Sequence, residues 1–158
     1  MISKKILFVC TGNTCRSSMA EVIFRDLLEE NNLDDYNVES AGLAALEGEN
    51  AARQAIEVMK EEGLDLTAHQ TTPLTSELMT EADLILTMTR RHKLSIVDSH
   101  PQIEDKLYTL KEYAATEENK QEAKELDISD PFGQPISIYK DCAQEIKEEL
   151  EKVVKKLN

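Results

Sequence analysis

The chain has 158 residues, 41% of them apolar, which suits one domain with a real hydrophobic core and excludes a disordered tail or a disulfide-stapled peptide. Its 18 basic and 31 acidic side chains leave a net charge of −13, which argues against holding a nucleic-acid backbone or an anionic membrane by bulk electrostatics. No apolar run approaches the ~20 residues of a membrane span, and three cysteines do not make a disulfide framework. Met1-Ile2-Ser3-Lys4-Lys5 leads straight into a strand and does not read as a secretory signal. The expectation is a single domain over residues 1–158: cytoplasmic, monomeric, with neither a nucleic-acid nor a membrane partner.

Ile6-Leu7-Phe8-Val9, behind the basic pair Lys4-Lys5, is a continuous apolar run of the kind shown by a strand buried on both faces. From Ser17 the period turns helical, with Ala20, Ile23, Phe24, Leu27 and Leu28 at three- and four-residue spacing. Residues 36–40 read as a second strand, ended by Ala41-Gly42. Residues 50–62 read as a helix with Ala52, Ala55, Ile56 and Met59 on one face and Gly63 as its stop. Residues 82–88 form a third predicted strand, followed by a short helix from Thr89, and residues 106–110 a fourth strand. The acidic and polar residues 116–125 are expected to be a solvated loop or helix face. Tyr139, Cys142, Ile146, Leu150, Val153 and Leu157 make one stripe, so residues 136–157 are a helix docked on the core, with Cys142 in its packing face. Strands alternating with helices predict an α/β sandwich around a parallel sheet, whose ligand site lies beyond the carboxyl ends of the strands. Attention therefore falls on the loop after the first strand.

That loop is Cys10-Thr11-Gly12-Asn13-Thr14-Cys15-Arg16-Ser17. Its backbone N–H groups, with the N-terminus of the following helix, supply fixed positive dipole for a dianion such as phosphate. Arg16 adds a planar fork that matches two phosphate oxygens. The same positive field favours the thiolate of Cys10, and a thiolate beneath a phosphoryl group is an in-line nucleophile. Gly12 and Asn13 are residue types that tolerate the left-handed backbone a cradle needs. The plainer reading is a buried strand-end cysteine beside a helix-capping Ser17. Other phosphate-binding glycine motifs are absent: there is neither G-x-x-x-x-G-K-[ST] nor G-x-G-x-x-G. A metal site is not expected either, because Cys10 and Cys15 have no second pair to complete four ligands.

The loop resembles the signature of the low-molecular-weight protein tyrosine phosphatases: a valine, then Cys10, Gly12-Asn13 and Cys15-Arg16-Ser17 at the first strand–helix junction. The resemblance continues through Ser40-Ala41-Gly42, His69 and Asp130-Pro131, and so spans nearly the whole chain. It implies a four-stranded parallel sheet flanked by helices and a two-step reaction through a cysteinyl-phosphate, with no cofactor. It makes Cys10 the nucleophile, and Thr11 to Ser17, Thr14 and Cys15 included, the phosphate cradle. Asp-Pro alone reads as a turn; the family's aspartate at this place is a general acid and then the base that activates water, which assigns that role to Asp130 over Asp127. The resemblance also implies that Ser17 donates to the Cys10 sulfur, and that Asn13, Ser40 and His69 form a network holding the cradle. It further implies that Cys15 pairs with oxidised Cys10 as a reversible disulfide. Arg90-Arg91-His92-Lys93 is expected to be an exposed helix face, with contact to an acidic substrate protein as the alternative.

Two departures bear on substrate. Thr11 stands where tyrosine-directed members carry a bulky aliphatic residue, and Phe132 follows the proline where they tend to carry Tyr or Trp. These features, with Pro73-Leu74-Thr75 and the stretch from Tyr108 to Tyr113, resemble the bacterial protein-arginine phosphatase branch, although that branch usually has proline at Ser18. The expected activity is therefore removal of phosphate from phosphoarginine in proteins. A protein-tyrosine phosphatase is the alternative, and a non-catalytic phosphate-binding module a third reading. An arsenate reductase is more remote, since no cysteine lies between Cys15 and Cys142 to pass oxidation outward.

Overall fold

A computed structural model describes residues 3–115 and 126–158; the expected solvated loop at 116–125 lies outside them. The first apolar run forms β1 (Lys4–Cys10), and its side chains alternate between two cores. Ile6, Phe8 and Cys10 enter one, Leu7 and Val9 the other, which is why the run shows no polar alternation. With β2 (Tyr36–Gly42), β3 (Leu84–Thr87) and β4 (Leu107–Thr109) it makes a four-stranded parallel sheet in the order β2-β1-β3-β4. This is the expected three-layer sandwich. The chain steps from β1 to one side for β2 and then to the other for β3, so the crevice of the switch point opens at the carboxyl end of β1.

On one face pack α1 (Arg16–Glu30), α2 (Arg53–Glu61) and the long final helix, α6 (Ile136–Leu157). Cys142 lies in that core, as its place on the apolar stripe implies. On the other face pack α3 (Ser76–Glu81), α4 (Arg90–Ser99) and a 3-10 turn at Pro101–Lys106. The short helix α5 (Leu110–Ala114) follows β4 directly.

The differences from the sequence reading have local causes. The second helix starts at Arg53 because the backbone of 50–52 is engaged elsewhere: Asn50 pairs with Gln70, and Ala52 N–H donates to Thr14 O. Two short helices were not anticipated, and both are set by caps. Thr75 accepts from Leu78 N to start α3, and a reciprocal Thr109–Glu112 capping box starts α5. Thr75 and the Tyr108–Tyr113 stretch, read above as marks of a branch, thus build helix ends.

One glycine fixes how closely the strands approach the site. Gly42, opposite Cys10 in the β1–β2 register, has room for no side chain: a Cβ there would lie 2.5 Å from Thr11 O and 2.9 Å from Asn13 N. The core itself rests on large side chains such as Phe8 and Phe24, whose rings meet edge to face at 5.6 Å. Phe8→Ala is expected to lower the unfolding free energy by about 3–5 kcal/mol. Phe132→Ala, at a position 71% exposed, should change it by less than about 0.5 kcal/mol. Urea titration of both variants checks the pair.

Candidate active site

Beyond β1 the loop turns outward the peptide carbonyls of Cys10, Thr11, Asn13, Thr14 and Cys15, and each of these five is held. Leu43 N donates to Cys10 O, Ala44 N to Thr11 O, Ala52 N to Thr14 O, and Met19 N and the Ser18 hydroxyl to Cys15 O. His69 Nε2 donates to Asn13 O at 2.8 Å. In a planar trans peptide the N–H points opposite to the C=O, so the N–H groups of Thr11, Gly12, Thr14, Cys15 and Arg16 face inward. Together with the start of α1 they make a concave array of donors fit for an oxyanion. Ser18 contributes one of the outward clamps.

Asn13 carries the network at the base of the loop. It is fully buried with φ of 60°, a conformation that asparagine tolerates better than most residues. Gly12, by contrast, is not among the residues with positive φ, so the left-handed backbone expected of both sits on Asn13 alone. The Asn13 amide oxygen accepts from Thr72 N at 2.9 Å, which fixes which end of the amide is nitrogen. Its two amide hydrogens go to Ser17 Oγ at 2.8 Å and Ser40 Oγ at 2.9 Å. Ser17 Oγ, having accepted from Asn13, has its own hydrogen for Cys10 Sγ at 2.9 Å. Ser40 likewise donates onward to Glu21 Oε1 at 2.7 Å, and Glu21 is held by Arg25. The structure therefore brings Asn13, Ser17, Ser40 and His69 into one hydrogen-bonded group that also takes in Thr72 and Glu21. Ser17 is not a helix cap; Cys15 occupies that position, without a side-chain cap.

Cys10 Sγ also receives Asn13 N–H at 3.3 Å, so two donors converge on a buried sulfur. Cys15, also buried, lies 3.2 Å from the Tyr139 hydroxyl and 3.5 Å from that of Thr14. Burial pushes the Cys15 thiol up, which outweighs those two hydrogen bonds and keeps it protonated near neutral pH.

Arg16 is buried, and one arm of its guanidinium donates to Ile128 O at 2.9 Å. The other arm lies 3.7 Å from the carboxylate of Asp130, whose side chain is otherwise well exposed. Asp130 Oδ1 accepts from Phe132 N across Pro131, an Asx turn that aims the carboxylate. Asp127 is engaged elsewhere, accepting from Arg90 N at the first turn of α4. Phe132 stands exposed in the same turn as Asp130.

One neighbour escaped the sequence reading. The basic run at 90–93 is not wholly an exposed face: His92 is only 5% exposed, and its Nε2 lies 2.9 Å from the Thr11 hydroxyl. Burial, reinforced by the Arg16 charge, pushes its imidazole down to about 4, so it is neutral at physiological pH. The available signal was Thr89. As the cap of a helix beginning where β3 ends, it puts the third helical residue, His92, at the carboxyl edge of the sheet beside the loop.

The sequence profile described as Low molecular weight phosphotyrosine protein phosphatase matches residues 5–158. A Bacillus subtilis (strain 168) protein named Protein-arginine-phosphatase is 43% identical over 152 residues, covering 96% of this chain and 95% of that one. A Geobacillus stearothermophilus protein of the same name is 40% identical, covering 97% and 95%. Among solved structures, an arginine phosphatase Cys-to-Ser variant with its active-site serine phosphorylated superposes with a TM-score of 0.88, at 42% identity, covering 97% of this chain and 95% of that one. With a parallel sheet, an anion cradle after its first strand and these relatives along almost its full length, the chain belongs to the low-molecular-weight phosphotyrosine protein phosphatase family and is a cysteine-dependent phosphatase.

Proposed function

We propose that the 158 residues form one phosphatase domain that removes phosphate from phosphoarginine side chains of proteins. The phosphoryl group sits on the inward N–H groups and the free edge of Arg16. The Cys10 thiolate attacks phosphorus in line while the P–N bond breaks, and Asp130 gives its proton to the departing guanidine nitrogen. The Asp130 carboxylate then takes a proton from water, which attacks the cysteinyl-phosphate; phosphate leaves and the sulfur departs as a thiolate, stabilised by a hydrogen bond that the Ser17 hydroxyl donates while keeping its proton. Donors that already converge on Cys10 Sγ support this reading, as does the placing of Asp130 against the same Arg16 that lines the cradle. Cys15 is the proposed resolving partner: its thiol displaces water from a Cys10 sulfenic acid formed by peroxide, closing a reversible disulfide.

The observation that carries phosphoarginine over phosphotyrosine is the Thr11 hydroxyl at the exposed rim of the cradle. A guanidinium brings N–H donors to that rim, and a hydroxyl oxygen can accept one; an aliphatic side chain would leave the donor unpaired and favour an aromatic ring. The exposed Phe132 phenyl, in the same turn as Asp130, offers an apolar face without a phenolic oxygen. The names of the two relatives at 43% and 40% identity point the same way.

Cys10→Ser should retain phosphate binding and lose turnover to below about a hundredth, because a serine hydroxyl stays protonated in the same field; retention above that level rejects the covalent route. Asp130→Asn should lose on the order of 10²–10⁴ in rate, less for substrates with good leaving groups; an equal loss across leaving groups would make Asp130 merely structural. Finally, kcat/KM measured side by side on phosphoarginine and phosphotyrosine peptides should favour phosphoarginine in the wild type. Thr11→Ile should shift that ratio toward phosphotyrosine by roughly 5- to 150-fold, the worth of one unpaired polar group. Wild-type preference for phosphotyrosine would reject the arginine reading.

A further inference from the structure

We propose that His92 is a positioning residue for substrate choice: its Nε2–H holds the Thr11 hydroxyl so that one oxygen lone pair faces the leaving guanidine. The inference rests on the phosphoarginine reading above and deepens it. Thr11 is exposed on a short loop, and a lone threonine hydroxyl there would rotate freely and hydrogen-bond to water. The 2.9 Å contact to a buried imidazole removes that freedom. The imidazole is itself fixed, because His92 is the third residue of α4 and its backbone N–H is held by the Thr89 cap at 3.1 Å.

Which way the bond runs follows from the other ring nitrogen. Nδ1 is buried and has no hydrogen-bond partner among the described residues. A neutral imidazole carries one N–H. On Nδ1 it would be a stranded buried donor, rarer and costlier than a stranded acceptor; on Nε2 it meets the Thr11 oxygen. Burial, the nearby Arg16 charge and the positive end of α4 all oppose a second proton, so the ring stays neutral and in this tautomer.

The Thr11 oxygen has two lone pairs and one hydrogen. With one lone pair filled by His92, the O–H turns toward a phosphoryl oxygen in the cradle and the second lone pair remains at the rim. A guanidine N–H fills that lone pair; the ring of a phosphotyrosine cannot. Phosphoarginine thus completes the shell of the Thr11 hydroxyl, whereas an aromatic ester leaves it one partner short. A histidine that only packed α4 against the loop would not distinguish the two substrates.

The test is kinetic and spectroscopic. His92→Leu should lower kcat/KM on a phosphoarginine peptide roughly 5- to 30-fold more than on a phosphotyrosine peptide. His92→Gln, whose amide N–H can stand in for Nε2–H, should recover most of that ratio. In a Thr11→Val background, His92→Leu should move the ratio less than about twofold, because the partner hydroxyl is gone. Long-range proton–nitrogen NMR of the wild type at neutral pH should find the proton on Nε2. Equal losses on both substrates, an undiminished effect in the Thr11→Val background, or a proton on Nδ1 would each overturn the inference. The NMR result does not depend on how well the Leu variant folds. A wild type that prefers phosphotyrosine would reject the arginine reading by itself, whereas the His92 inference is judged on its coupling to residue 11 and on the tautomer.

Discussion

The site depends on a buried carboxamide. Asn13 uses its amide oxygen, both amide hydrogens and its carbonyl at once, on Thr72, Ser17, Ser40 and His69. Its backbone holds a left-handed turn that few other residues would accept. The bonds to Ser17 and Ser40 are buried and the other two half-buried, so losing one of the buried pair would strand its partner at a cost of ~1–3 kcal/mol. That is why the loop keeps its N–H groups turned inward even though parallel donors repel one another. The repulsion is held in check by clamps on the outside of the loop, and the resulting field is what an arriving dianion meets.

The sheet and the long helices were legible because their signals are strong and local: an apolar run for β1, a stripe for α6, a glycine at the end of α2. The short helices were not, since α3 and α5 carry too few residues for a period to emerge; only their threonine caps mark them. The cradle was legible from its residue types and their order. Its left-handed position was assigned to two residues where one suffices, since φ of an individual loop residue depends on contacts from β2 and the segment at 69–72 that a local reading does not contain. His92 was hidden because a histidine among three basic residues looks solvated. Its hydrogen-bond partner is Thr11, 81 residues away in the chain.

Electrostatically, the site is a local exception in an acidic molecule. The chain carries −13 overall, yet the cradle combines helix-end dipole, inward N–H groups and a buried arginine. Such a field acts at short range, within about a Debye length of ~8 Å at physiological salt, so it holds a phosphoryl group already in place more than it draws one from afar.

The double use of Arg16 has a consequence for how such a scaffold can diversify. One arm of its guanidinium is bonded to the carbonyl of Ile128, two residues before Asp130, while the other lies 3.7 Å from the Asp130 carboxylate, and Arg16 itself ends the loop. A rigid planar cation thus indexes the Asp130 turn to the phosphate loop, and the separation of these two parts follows from one side chain's geometry. Residues at the rim, such as Thr11 and Phe132, stand outside that linkage. On the proposed reading, in which these two residues meet the substrate and Cys10 and Asp130 react, the rim can drift under selection for new substrates while the spacing of the reacting groups is inherited unchanged. A lysine would bring the same charge, but as a point and not a plate, and the two halves of the site would lose their common ruler.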